Sequence, residues 1–306
     1  MKRWIAYQRE RFPLAAHVPL VAAFSASAVC FSSLVRGHVA APSTAALVVA
    51  FVTSLLFFLQ LRIADEFKDA EEDARFRPYR PVPRGLVTLG ELACLGAGAA
   101  LLQLTLALWL DDSLVWLLVP SWAYLVLMTQ EFFAPRWLRA HPVLYMTSHM
   151  LILPLIDLYA TACDWRVAGE GRAPVGLGWF LAVSYLNGIV IEIGRKTRVL
   201  ADEEHGVETY SALWGMQGAA RAWLFAILLT GAAAWEASAR IGTEVPTLLM
   251  LAVMAGACAV VARRFVASTR RGSGRSIEVM AGVWTLLMYV GLGAAPLAIT
   301  LWQEAG

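Results

Sequence analysis

Of 306 residues, 59% are hydrophobic and only 16% charged, and the mean hydropathy of +0.61 exceeds what a water-soluble core can hide. This excludes an ordinary soluble domain and indicates an integral membrane protein whose first partner is membrane lipid. A net charge of +2 offers no basic excess for a polyanion, so no nucleic-acid partner is expected.

Apolar windows long enough to cross about 30 Å of hydrocarbon predict nine helices, near residues 17–35, 43–61, 88–110, 113–130, 142–160, 176–193, 218–235, 246–264 and 279–301. The fold class is therefore all-α, a polytopic bundle of nine transmembrane helices around a central cavity, read as a single domain over residues 1–306. With the N-terminus cytoplasmic, 21 of the 25 Lys and Arg residues fall on one side and only Arg36, Arg166, Arg172 and Arg240 on the other. That asymmetry predicts the N-terminus inside and the C-terminus outside. Cys30, Cys94, Cys163 and Cys258 lie far apart, three of them in apolar runs, and read as small apolar residues without disulfides or thiolate metal sites.

Residues 1–16 mix Trp4, Tyr7 and Phe12 with Arg9, Glu10 and Arg11, the pattern of an amphipathic helix anchored at the interface. No small-residue cleavage site precedes the first apolar run, so the first span reads as its own targeting signal. The second span delivers the chain into Leu61–Asp73. There Asp65, Asp69 and Asp73 recur every four residues and crowd one helix face. Like charges so placed repel, and a hard divalent cation relieves the repulsion; Mg²⁺ takes few carboxylates, several waters and phosphate oxygens. The bland alternative is a solvated juxtamembrane helix. Arg75, Arg77, Arg80 and Arg84, which follow the stripe, suit a phosphate ligand. The prolines of Arg77–Gly85 end the helix and force a turn.

A second cytoplasmic loop holds Glu131, Arg136, Arg139 and His141, and the fifth span contains His149 and Asp157, each a weak pocket candidate. Prolines 120, 142 and 154 interrupt the fourth and fifth spans, which membrane helices tolerate. The sixth span ends at Glu192, Arg195, Lys196 and Arg198, followed by Asp202 and a Gly206–Gly215 block. Glu192 lies at membrane depth, where an ionised group is costly unless paired or metal-bound. A metal ligand and a structural ion pair with Arg195 or Lys196 are both open for it. The last three spans offer mostly Leu, Ala and Gly, and their basic loop Arg263–Arg275 is expected to meet anionic lipid.

The whole chain resembles the UbiA superfamily of membrane prenyltransferases. The residues Gly206-Val207-Glu208-Thr209-Tyr210-Ser211-Ala212-Leu213-Trp214-Gly215 are similar to the block following the family's second aspartate motif, and Asp202 matches that motif's last aspartate. Asp65 and Asp69 resemble the paired DxxxD of the first motif, and Arg80-Pro81-Val82-Pro83-Arg84-Gly85 its RPxPxG turn. An alternative register pairs Asp69 with Asp73. Two departures stand out: Leu61 occupies the place of an asparagine, and Arg198 that of an aspartate.

The resemblance implies Mg²⁺ bound to both motifs and a prenyl diphosphate substrate. On that basis Asp65, Asp69 and Asp202 are expected to be catalytic; Asp65, Asp69, Asp73, Glu192 and Asp202 to hold metal; and Arg62, Lys68, Arg77, Arg80, Lys196 and Arg198 to bind diphosphate. The expected activity is prenyl transfer to a small aromatic acceptor. The alternatives are a UbiA-type terpene cyclase, which uses the same ionisation, and a transporter or lipid-binding scaffold.

Overall fold

The structure, a computed structural model, describes residues 2–38, 40–203 and 208–305. Helix makes up 80% of the described residues and no strand occurs among them, as hydrocarbon demands of a backbone that must satisfy its own hydrogen bonds. Nine helical stretches among the described residues are long and apolar enough to cross a membrane, at the places the sequence predicts.

The chain forms two compact units, Met1–Val29 with Pro42–Ala173, and Cys30–Ala41 with Pro174–Gly306. The first contains α1 (Lys2–Arg11), most of α2 (Leu14–Val35), α3 (Thr44–Lys68), α4 (Ala70–Phe76), α5 (Leu89–Leu110), α6 (Val115–Thr129), α7 (Pro135–Arg139), α8 (Pro142–Met150) and α9 (Ile152–Trp165). Ser43 starts α3 by accepting from the Ala46 amide at 3.1 Å, and Thr88 with Glu91 closes a reciprocal capping box on α5. Phe57, Leu92, Leu118 and Ile156 are fully buried. Polar groups cross-link the unit: Gln103 donates to the Thr53 carbonyl at 3.1 Å and accepts from Trp122 Nε1 at 2.9 Å. The fifth span breaks at Leu151 because Pro154 lacks the N–H that would bond the carbonyl of Met150 and crowds that carbonyl.

Residues 2–16, expected from the sequence as an interfacial anchor, pack inward. Tyr7 is buried against Ile63, Val87 and Leu92, and α1 ends at Arg11, so this segment belongs to the packed core of the first unit.

The second unit contains α10 (Leu177–Arg195), α11 (Tyr210–Ala239), α12 (Glu244–Val266), α13 (Arg275–Leu292) and α14 (Ala294–Ala305). Small residues let α10 and α13 approach: a Cβ added at Gly194 would stand 2.8 Å from that of Ala281. Phe31 stacks on Phe180 at 4.7 Å, and Tyr289 donates to Ser184 at 3.0 Å. α11 starts at Tyr210, ahead of the expected residue 218, with the extra turn joined through Gly215 in a conformation open to glycine, at φ 70°. Large apolar side chains point away from each unit, Leu101 and Trp116 in the first and Val245 and Val253 in the second, as faces that meet lipid require.

Candidate active site

The first aspartate stretch sits at the end of α3. Asp69 is the joint between α3 and α4, yet the i to i−4 hydrogen bonds run through it, Asp69 N to Asp65 O at 2.9 Å and Asp73 N to Asp69 O at 2.7 Å. The three aspartates therefore keep their helical progression but meet different surroundings. Asp65 is about half exposed, with Arg62 Nη1 at 3.5 Å. Burial first, then the charges of Asp65 and Asp73, holds the Asp69 carboxyl above the usual carboxylate range. Asp73 is buried, and its oxygens meet Arg77 Nη1 at 2.9 Å and Arg80 Nη1 at 2.8 and 2.6 Å. The turn after α4, closed by Arg80 N to Arg77 O at 3.0 Å and Leu86 N to Pro81 O at 2.9 Å, is what carries Arg80 back onto Asp73.

Two members of this cluster escape sequence reasoning. Glu66 is buried and accepts from Arg11 Nε, while Arg62 Nε lies 3.4 Å from it. Arg11 Nη2 comes within 3.9 Å of Asp73. The i to i+4 spacing of Arg62 and Glu66 is a usable signal; nothing local announces that residue 11 meets residue 66. Burial, and next the Glu66 charge, pushes the Tyr7 hydroxyl up to about 12, so it stays neutral. Arg11 Nη2 and Arg62 Nε are buried and, although carboxylates stand nearby, make no hydrogen bond among the described residues.

Lys68, on the last turn of α3, faces a different set. Its ammonium donates to Tyr145 Oη at 2.6 Å and lies 3.2 Å from His149 Nε2 and 3.9 Å from Glu131 Oε1.

In the second unit Glu192 is buried, with Arg195 Nη2 at 2.6 Å from one oxygen and Lys196 Nζ at 3.0 Å from the other. The following loop is pinned at its ends by Tyr210 N to Lys196 O at 2.9 Å and Arg198 N to Ser211 Oγ at 2.9 Å. Asp202 accepts from the Gly272 amide at 2.6 Å, and Arg198 Nη1 donates to the Asp202 carbonyl at 3.5 Å. Thr209 caps α11 through the Ala212 amide and donates to Glu203 at 2.6 Å. Gly206 and Val207, which open the family-like block, lie outside the described residues.

Among the described residues no three His, Cys, Asp or Glu side chains form a ready-made metal cage. Mg²⁺ does not need one, since one or two carboxylates complete its shell with water and phosphate oxygens. Asp65 and Asp69 fit that demand, because a cation between them would offset the charge of Asp65, which after burial is what raises Asp69.

Residues 41–287 match the UbiA prenyltransferase family. Among solved structures, the chain is similar to the apo structure of a UbiA homolog from Aeropyrum pernix K1, with a TM-score of 0.66 and 15% identity over 92% of this chain and 97% of that one. It is also similar to a structure reported under the biosynthesis of digeranylgeranylglyceryl phosphate synthase in membranes, with a TM-score of 0.61 and 13% identity over 95% and 98% of the two chains. At such identities the likeness is one of fold. No curated protein matches the chain.

Proposed function

Because the chain belongs to the UbiA prenyltransferase family, and so to the prenyl-transferring membrane enzymes, we propose that it ionises an isoprenoid diphosphate with Mg²⁺ and passes the prenyl group to a small aromatic acceptor. The observation that carries this reading is the pair of buried guanidinium nitrogens with no hydrogen bond among the described residues, Arg11 Nη2 and Arg62 Nε, set among the carboxylates of the first stretch. Charge in this cluster is nearly matched, but hydrogen bonds are left unmade. Phosphate oxygens are the acceptors a guanidinium fits best.

Asp65 and Asp69 would hold the metal. Bound there, Mg²⁺ supplies positive charge to the diphosphate oxygens, on which negative charge grows as the allylic carbon–oxygen bond breaks. The chain's own residues do the rest. Arg11 and Arg62 donate to the diphosphate; Lys68 adds a point charge. Asp73 is better cast as the anchor of Arg77 and Arg80 than as a ligand, because each arginine has five donors and spends only a few on it. In the second unit Asp202 is the proposed acidic ligand, with Lys196 and Arg198 as phosphate donors. Glu192 is assigned as the counter-ion that orders Arg195 and Lys196, since both its oxygens already meet cations.

Incubating purified protein with C10 to C20 prenyl diphosphates and Mg²⁺, with and without aromatic acceptors, tests the reading. Diphosphate release that requires an acceptor and yields a prenylated aromatic is the expected result. Release without acceptor, giving a cyclic hydrocarbon or alcohol, would assign ring closure instead, and no release under either condition would remove the diphosphate substrate altogether.

A further inference from the structure

Glu131, Phe132 and Phe133 have φ angles of 47°, 52° and 59°, three successive non-glycine residues in the left-handed region. Side chains of L-residues resist that region because Cβ crowds the next carbonyl, and it is normally visited by single residues, most often Gly, Asn or Asp. Such a run persists only where its surroundings over-determine it. Here Phe133 N bonds to Gln130 O and Ala134 N to Glu131 O, each at 3.0 Å. The Phe132 ring packs edge-on to Tyr124 at 5.5 Å and to His149 at 5.9 Å, whereas Phe133 points outward. What the turn accomplishes is to send Glu131 inward, where it is buried.

The Glu131 carboxylate then closes a chain of polar contacts. Its Oε1 accepts from Tyr145 Oη at 3.3 Å, and Tyr145 Oη in turn accepts from the Lys68 ammonium at 2.6 Å. The Tyr145 ring stacks on that of His149 at 4.0 Å. His149 Nδ1 lies 2.8 Å from the Tyr145 carbonyl, a contact that needs a proton on Nδ1 and leaves Nε2 as the acceptor for Lys68 at 3.2 Å. On its far side Glu131 Oε2 lies 3.6 Å from Arg139 Nε. A lysine normally keeps much rotamer freedom; this one has two acceptors at fixed places and a carboxylate 3.9 Å away.

We propose that Glu131, Tyr145 and His149 are positioning residues that hold the Lys68 ammonium beside Asp69, so that its remaining N–H meets a phosphate oxygen of the donor. The left-handed turn is the device that places Glu131 for this. By taking the Tyr145 proton in a hydrogen bond, Glu131 turns the phenol's lone pair toward Lys68; the effect on substrate passes entirely through the lysine. The inference rests on the diphosphate reading above.

The test uses full-length protein in detergent with Mg²⁺ and inorganic pyrophosphate as the calorimetric ligand, after thermal unfolding has shown each variant folded. Glu131→Gln and Tyr145→Phe are each expected to weaken pyrophosphate about fivefold, the loss of roughly one hydrogen bond, and to raise the donor KM more than they lower kcat. Lys68→Met should weaken binding further, and adding Glu131→Gln to it should change nothing beyond about twofold, the signature of one residue acting through another. A Glu131→Gln effect that persists in full on the Lys68→Met background overturns the proposal, as does unchanged binding in Glu131→Gln itself. If Glu131→Gln fails to fold, Tyr145→Phe, which removes one oxygen, runs the same cycle, and the same two results would overturn the proposal. Wild-type protein that binds no pyrophosphate overturns the diphosphate reading and this proposal together; wild-type binding with unaffected variants overturns this proposal alone.

Discussion

Asp69 is less comfortable in the folded chain than in the unfolded one, and that discomfort has a measurable sign. Burial and the carboxylates at 65 and 73 raise its pKa above the ordinary 3.8, so the folded state favours the protonated form. Stability from this group is therefore full at low pH and falls as pH rises from 3.8 through the raised value. Asp69→Asn removes the charge and keeps the shape. In Mg²⁺-free buffer at neutral pH it should unfold at a higher temperature than wild type, the advantage should vanish in acid below the ordinary carboxylate range, and turnover should drop by about a hundredfold or more. A lower unfolding midpoint at neutral pH would show that the aspartates are not in conflict. The same residues mark what is and is not legible in sequence. Asp65 and Asp69 are legible because a four-residue spacing converges on one helix face whatever the fold. Arg11 and Glu131 are not: the first acts across more than fifty residues of chain, and the second depends on a left-handed turn written in Glu-Phe-Phe, with no glycine to announce it.

At the scale of elements, prolines are the most readable punctuation. Pro154 and Pro296 stand in the first turn of α9 and α14, and each divides an apolar stretch that hydropathy alone reads as one span. The basic loop before α13 has the composition of a lipid contact, but it also grips the second motif. Gly272 donates to Asp202, and a Cβ added at Gly274 would fall well inside contact distance of the Thr197 carbonyl. No composition rule reveals a close approach between residues 197 and 274. Gly274→Ala should therefore cost about 1–3 kcal/mol by forcing the loop away from Thr197, and it should loosen Asp202 along with it. Gly282→Ala, in the helix that follows and with nothing within 4 Å, should be neutral or stabilise by about 0.5–1 kcal/mol. Thermal unfolding of the pair checks this, and equal behaviour of the two variants would discard the proposed grip.

For the whole molecule the governing quantity is the distribution of charge, not its sum. The net charge is only +2, yet 21 of 25 Lys and Arg residues lie on one side when the nine spans are threaded in order. Cationic residues flanking short loops resist translocation, so that side is expected to face the cytoplasm, together with the N-terminus and both charged stretches. An odd number of crossings would then send the C-terminus outward. Peptide tags placed before Met1 and after Gly306 give the measurement: in sealed cells the second should be reached by an impermeant antibody and the first only after permeabilisation. Reversal of both tags would leave nine spans standing but put the aspartates on the outer face, against the charge asymmetry. Two tags on one side would require an even number of crossings, and one of the proline-broken stretches would have to dip into the membrane and return.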